Sequence, residues 1–173
     1  AHRGFSVLAV DFPGNGRSTG KAPSDIGKLA DWVPGLMDGA GVKEAKLIGH
    51  SMGALVALEC AVRHPQRILG ICLLGASEKM PVHPDLLDAA KKNEPLAYEL
   101  VCSWGHGRRG HIGGASVPGM SLMGGGLSLM ASGRKDALGA GLEACHEYSS
   151  GKDTAHVLRA GSSDRPAERS PYP

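Results

Sequence analysis

A serine between two glycines stands at residues 49–53, whose sequence is GHSMG. The motif matches G-x-S-x-G and lies between a predicted strand, residues 46–48, and a predicted helix, residues 54–63. A turn from strand to helix projects the serine hydroxyl beyond the end of the strand. Because the helix begins at this point, its dipole and the N–H of Met52 face any oxyanion formed there. These residues predict a nucleophile, Ser51, with the Met52 N–H as an oxyanion donor.

The two glycines of this motif have a predicted structural role. Ser51 must take up a strained turn with positive φ. We expect a Cβ atom at Gly49 or Gly53 to clash within so tight a bend. The alternative interpretation is a glycine-rich turn in an ordinary α/β protein, and the match in both pattern and context favours the nucleophile.

The elements that must position this serine alternate between strand and helix. A helix is predicted to begin after Ser24 or Asp25, to kink or break at Pro34, and to end at residues 39–41. The helix at residues 54–63 is apolar nearly all round and is expected to be buried. Apolar runs predict three strands, the first and third of them buried in a parallel sheet: residues 5–12, 45–48 and 68–74. The order indicates an α/β fold with a doubly wound, mostly parallel sheet.

Two segments resemble the α/β-hydrolase family. Residues 10–18 (VDFPGNGRS) are similar to the D-x-P-G-x-G-x-S loop that follows a central strand in many members, and residues 47–54 (LIGHSMGA) are similar to the nucleophile elbow. The resemblance covers residue 5 to about residue 77. It implies a partial α/β-hydrolase core in which Ser51 cleaves a small-molecule carboxylic ester by acyl transfer, without cofactor or metal. Amide hydrolysis, perhydrolysis and carbon–carbon cleavage stay open, because relatives perform them on this scaffold.

The partners of the serine follow from the family order of serine, acid and histidine. Asp164 resembles the acid of the family's G-x-x-D-R loop, and Glu78 is the alternative where the acid lies one strand earlier. No histidine follows Asp164, since His146 and His156 both precede it. The second oxyanion donor of the family belongs upstream of this sequence. We therefore expect a chain truncated at both ends, or a tail altered by a reading-frame error.

The expected domain organisation has three parts: an incomplete core at residues 1–77, a lid or cap insertion at residues 78–151, and the start of a C-terminal core segment at residues 152–173. Short helices are predicted in the insertion at residues 84–90, 95–102 and 137–148, around a glycine-rich irregular stretch, residues 105–141. A fourth strand is predicted at residues 156–158. The methionine and leucine side chains of the insertion suit a pliable cover over an apolar pocket, or simply seat the lid on the core. An alternative to the hydrolase is therefore a non-catalytic fragment or a lid-bearing binding module.

The sequence disfavours two other kinds of site, a phosphate-binding loop and a zinc site. Residues 14–21 suggest a phosphate-binding loop, but Asn15 stands where its first glycine belongs and Ala22 where its hydroxyl belongs. Cys102, His106 and His111 match no established zinc spacing. The neighbouring pair Arg108 and Arg109 could bind a substrate carboxylate or phosphate, or be solvated lid residues.

The overall composition excludes several classes of partner. A net charge of +2, with both signs spread along the chain, gives no electrostatic case for nucleic acid. No apolar run is long enough for a membrane span. The four cysteines have no C-x-x-C pairing, and Cys60 and Cys72 lie in apolar runs where we expect buried free thiols. A reducing, cytoplasmic location is expected, while the oligomeric state stays open.

Overall fold

The computed structural model describes residues 4–149. In chain order, these residues form α1 (Ile26–Gly39), β1 (Ala45–His50), α2 (Met52–Arg63), β2 (Ile68–Leu74), α3 (Pro84–Lys91), α4 (Pro95–Gly105), α5 (Arg108–His111), α6 (Leu122–Ala131) and α7 (Ala137–Glu147). They divide into two compact units. The sheet unit contains Ala30–Lys79 with residues 148–149, and the helical unit contains residues 4–29 with Met80–Glu147.

The sheet unit is built on a strand–helix–strand crossover. β1 and β2 pair in parallel, with Leu47 opposite Ile71 and His50 opposite Leu74. α2 connects them and packs against both strands. Residues 54–61 of α2 are buried without interruption, as its apolar sequence predicts. The predicted parallel arrangement of strands 45–48 and 68–74 and the buried helix between them are confirmed.

The predicted burial of the third strand is wrong. β2 forms as predicted, but Leu69 is 60% exposed and Leu74 is also exposed, while Ile48 of β1 is 77% exposed. α2 covers one face of the two strands, and Ile48, Cys72 and Leu74 share the other face, because Ile48 lies opposite Cys72 and alternate side chains of a strand share a face. Leu69 lies at an irregularity in the pairing, where the register shifts. Cys72, expected to be buried in this run, is exposed for the same reason.

The predicted first strand does not form. Residues 5–12 have no strand structure, and Phe5 and Val7 are 65% and 73% exposed. An apolar run indicates a tendency towards burial, but a strand also needs a neighbour that accepts its backbone hydrogen bonds. Within residues 4–149 the sheet is two-stranded, and residues 5–12 pair with neither strand.

The first helix begins as predicted and continues past its proline. Asp25 caps it, because its Oδ1 accepts a hydrogen bond of 2.7 Å from the N–H of Lys28. Pro34 lies inside the helix, which ends at Gly39, so of the two predicted outcomes, a kink or a break, the break does not occur. Burial on both sides of the proline offsets the lost backbone hydrogen bond. The buried residues of α1 are Ile26, Leu29, Ala30, Val33 and Met37.

The helical unit has its own apolar core. The predicted helices at residues 84–90, 95–102 and 137–148 correspond to α3, α4 and α7. The stretch predicted to be irregular contains α5 and the ten-residue helix α6, so that prediction is wrong at residues 122–131. The core consists of Leu86, Ala89, Ala90 and Ala97, with Val82, Leu100, Val101, Leu138 and Leu142 packed around them. None of the helices within residues 4–149 is long and apolar enough to cross a membrane. The strand predicted at residues 156–158 lies outside the described residues.

The cysteines are expected to differ strongly in reactivity. Burial raises the pKa of the Cys60 thiol to about 11, with a smaller contribution from the Asp31 carboxylate, and burial alone raises the pKa of Cys145 to about 11. Only the thiolate is alkylated, so at pH 8 we expect both to react about a hundredfold more slowly than an ordinary thiol. Cys72 is exposed and should react first with iodoacetamide. Peptide mapping checks the order, and Cys72→Ser should remove the fast phase. Labelling of Cys60 before Cys72 would contradict the described burial.

Candidate active site

The chain between β1 and α2 makes a sharp turn at Ser51. Its φ is 53° and its ψ is −121°, which few non-glycine residues adopt. The Ser51 N–H donates a hydrogen bond of 2.9 Å to the carbonyl of Leu74, and the Ser51 carbonyl accepts one of 2.9 Å from Ala54. The strained turn predicted at Ser51 is therefore present, and it is tied to both β2 and α2.

The two glycines of the motif differ in what they contribute. A Cβ atom at Gly49 would overlap the carbonyl of Gly53, which lies directly above it in the turn. A Cβ atom at Gly53 would meet nothing within 4 Å, so the predicted clash at this position is wrong. Gly53 lies in the first turn of α2, and the space beside its Cα atom is open.

The start of α2 has both a side-chain hydroxyl and backbone N–H groups without a helical acceptor. Ser51 precedes the helix, but its hydroxyl makes no capping hydrogen bond to it. The N–H of Met52 belongs to the first turn, whose N–H groups have no acceptor within the helix. Ser51 and Met52 stand at the start of α2, at the positive end of the helix dipole. Their roles as nucleophile and oxyanion donor stay predictions.

Two further residues near Ser51 are His50 and the alternative acid, Glu78. The ring of His50 lies against Gly75, where a Cβ atom would be 3.3 Å from its Nε2 atom. Glu78 follows β2 and is exposed. Because β1 and β2 are parallel, both Ser51 and Glu78 follow the carboxyl ends of neighbouring strands, where α/β proteins place their ligands. Asp164, the preferred acid, lies outside the described residues.

A buried carboxylate anchors the helix that begins at Ser51. Glu59 is 7% exposed, accepts a hydrogen bond of 3.1 Å from the Tyr148 hydroxyl and pairs with Arg63 at 2.7 Å. Arg63 also pairs at 3.1 Å with Asp31 of α1, and His64 lies 3.0 Å from the same carboxylate. This network was missed by the sequence analysis, although a single acidic residue within an apolar helix is the signal that could have revealed it.

In the helical unit, the loop at residues 10–18 is held together by Asp11. The Asp11 carboxylate accepts a hydrogen bond of 3.0 Å from the N–H of Arg17, and the Asp11 carbonyl accepts one of 2.6 Å from the Ser18 hydroxyl. Gly16 has a φ of 47°, and a Cβ atom there would overlap the carboxylate. A side-chain carboxylate therefore occupies the inside of this turn, where a phosphate-binding loop presents free N–H groups to an anion.

The histidines of the helical unit contact backbone groups. The Nδ1 atom of His106 lies 2.9 Å from the carbonyl of Cys102, and His111 Nε2 lies 2.9 Å from the carbonyl of Ser103. Within residues 4–149 no group of three histidine, cysteine, aspartate or glutamate side chains is placed to hold a metal ion. His146 accepts a hydrogen bond of 3.2 Å from the N–H of Val82. Arg108 and Arg109 are exposed on α5.

Comparison with known sequences places this turn in a family context. Residues 1–106 match the alpha/beta hydrolase fold family. A pimeloyl-acyl-carrier-protein methyl ester esterase of Neisseria meningitidis is 35% identical over 81 residues, which are 47% of this chain and 30% of that protein. A dihydrolipoyllysine-residue acetyltransferase component of an acetoin cleaving system, from Cupriavidus necator, is 39% identical over 71 residues, 40% of this chain and 19% of that protein. The matched segment thus spans less than a third of either relative.

Solved structures agree on the fold. A thermophilic esterase superposes with a TM-score of 0.64 at 23% identity, covering 90% of this chain and 56% of that one. An esterase from Exiguobacterium antarcticum superposes with a TM-score of 0.59 at 17% identity, covering 79% of this chain and 54% of that one. At these identities the likeness concerns the fold alone, and the chain spans just over half of each structure.

Proposed function

The chain belongs to the alpha/beta hydrolase fold family, and from this premise we propose that it is a serine hydrolase that cleaves a small-molecule carboxylic ester through Ser51. The observation that carries the proposal is the strained turn at Ser51, with φ 53°, at the start of α2. Strain of this kind persists only where the surrounding structure imposes it, and it is concentrated at functional sites. The similarity to relatives named as esterases supports the choice of an ester as substrate.

The proposed chemistry is acyl transfer in two steps. The Ser51 hydroxyl oxygen attacks the ester carbonyl carbon, a base removes the hydroxyl proton, and the oxyanion is stabilised by the Met52 N–H and the start of α2. The carbon–oxygen bond to the alcohol then breaks, and the alcohol leaves with that proton. Water attacks the acyl-serine, which releases the carboxylic acid and restores Ser51. No bound cofactor is required by this sequence of steps.

We propose Asp164 as the residue that orients the base, with Glu78 as the alternative. The position of Glu78 after β2, at the edge that carries Ser51, supports that alternative.

We further propose that residues 78–151 are a lid insertion between the core segments at residues 1–77 and 152–173. The part of this insertion that the structure describes contains the helices α3 to α7 and no strand, which supports a helical lid.

One observation favours a second candidate, a non-catalytic fragment or binding module. Within Ala30–Lys79 the Ser51 hydroxyl makes no hydrogen bond to a histidine, so no base is positioned by this unit itself. His50 lies against Gly75, and His64 lies beside Asp31 near the opposite end of α2. A serine without a base has the reactivity of an ordinary alcohol.

Covalent labelling with a fluorophosphonate separates the two candidates. An activated serine forms an oxygen–phosphorus bond to this reagent and releases fluoride, so we expect one adduct per chain, located at Ser51 by peptide mass spectrometry. Ser51→Ala should abolish the adduct, whereas Ser128→Ala, which removes an exposed hydroxyl on α6, should not. An unlabelled chain, or an adduct that survives in Ser51→Ala, would refute the serine hydrolase and support the binding module.

A further inference from the structure

The helical unit contains a cavity of about 170 Å³. An engineered protein cavity of about 150 Å³ is known to hold a benzene molecule, so this volume suits a ligand of six to nine heavy atoms. Ala97, Ala137 and Leu138 form part of an apolar wall, and the polar side chains on the lining include Asn15, Tyr98 and Arg134. An apolar wall with a few polar groups is the usual composition of a small-molecule site.

Arg134 is the charged side chain on this lining. Its Nη1 atom donates a hydrogen bond of 2.8 Å to the carbonyl of Ser18. A guanidinium has five N–H donors, so most of its donors are left for another acceptor. Within residues 4–149 no carboxylate forms an ion pair with Arg134. The nearby carboxylate of Asp136 instead accepts a hydrogen bond of 2.7 Å from the Asn93 side chain.

Tyr98 and Asn15 add two further polar groups to the lining of the cavity. The Tyr98 hydroxyl has no hydrogen-bond partner in the described part of the chain. The side-chain N–H of Asn15 donates a hydrogen bond of 3.1 Å to the Pro13 carbonyl, which leaves its oxygen as an acceptor. The cavity therefore offers a positive charge with several donors and one neutral O–H beside an apolar wall. These groups match one carboxylate attached to a short apolar body.

We propose that this cavity binds a small monocarboxylate, with its carboxylate on Arg134 and Tyr98 and its apolar body against Ala137 and Leu138. Arg134 is exposed to solvent, which weakens the charge interaction, so the expected dissociation constant is on the order of 1 mM. The site lies wholly within the helical unit and does not depend on the chemistry proposed for Ser51.

Calorimetric titration of the full chain with benzoate and with benzamide tests this site. The two probes share size and shape but differ in charge, so benzoate should bind at least about tenfold more tightly. Arg134→Gln should weaken benzoate binding about tenfold and remove the difference between the two probes. Lys135→Gln removes the same charge from the next residue, which does not line the cavity, and should leave benzoate binding unchanged.

A second variant tests the cavity without altering its charge. Ala137→Leu adds three carbon atoms to the wall and should abolish binding of both probes, with thermal unfolding used to show that the chain stays folded. It also decides the matter if Arg134→Gln fails to fold. The proposal is overturned if the native chain shows no saturable benzoate binding or binds benzamide equally well. It is also overturned if folded Arg134→Gln binds benzoate as tightly as the native chain does, if binding survives in folded Ala137→Leu, or if binding falls equally in Lys135→Gln.

Discussion

Ser51→Ala is expected to reduce hydrolysis of p-nitrophenyl acetate to the uncatalysed rate, a loss on the order of 10³-fold or more, and to abolish any initial burst of p-nitrophenol. The burst reports formation of the acyl-serine, which needs the hydroxyl oxygen that the substitution removes. Removing a nucleophile usually costs nearly all of the rate contributed by the groups that act with it. Stopped-flow absorbance of both proteins at equal concentration measures the burst and the steady rate.

Ser51→Gly is the control that separates lost chemistry from lost folding. The φ of 53° at Ser51 is strained for any residue with a Cβ atom, and glycine adopts such values without that strain. We expect this variant to be as inactive as Ser51→Ala. Its free energy of unfolding should be about 1 kcal/mol higher than that of the native chain. Equal, background-level rates for the native chain and both variants would overturn the enzyme proposal and leave the binding module.

The part of the fold that is predictable from sequence is the part determined by neighbours in the chain. The G-x-S-x-G turn, the strand before it and the helix after it depend on a few contiguous residues, and all three form as predicted. Residues 5–12 show the limit of this approach. Their apolar character predicts burial in a sheet, yet in the structure they have no strand partner and Phe5 is exposed. A strand depends on residues elsewhere in the chain, which an apolar run does not specify.

Pro34 shows the opposite failure, in which a local rule is overruled by packing. A proline within a helix loses one backbone hydrogen bond and clashes with the preceding turn, at a cost of about 3 kcal/mol. The helix nevertheless runs from Ile26 to Gly39, because buried side chains lie on both sides of the proline. Propensity is a weak constraint once a helix has an apolar face to bury.

The candidate site also has a part that the local sequence predicts and a part that depends on residues far apart in the chain. Ser51 and Met52 are adjacent in sequence, so the pattern alone locates both. The network around Glu59 requires Asp31 of α1 and Tyr148, which lie 28 and 89 residues away from it. The cavity of the helical unit is lined by both Asn15 and Arg134, which are even further apart in the chain than Glu59 and Tyr148. Glu59 is marked by its apolar helix, but no local pattern marks its distant partners or the residues that line the cavity.

Gly49→Ala is expected to have the largest effect on stability, lowering the free energy of unfolding by about 3 kcal/mol or more. The new Cβ atom would overlap the Gly53 carbonyl. That obstacle is backbone in the first turn of α2, so it cannot rotate away as a side chain would. Either the helix shifts, or the bend at Ser51 opens. Urea unfolding monitored by circular dichroism at 222 nm measures the change.

Gly53→Ala is the matched control, with the same substitution four residues later in the same motif. Its Cβ atom meets nothing within 4 Å, and the position lies in α2, where alanine is favoured over glycine by up to about 1 kcal/mol. The two variants should therefore move the urea midpoint in opposite directions. A comparable loss in both would show that the motif tolerates no Cβ atom at either glycine, and a neutral Gly49→Ala would show that the close approach to Gly53 does not constrain the turn. With the expected pair of results, the glycine before His50 determines the bend at Ser51, while the glycine after Met52 is dispensable for folding.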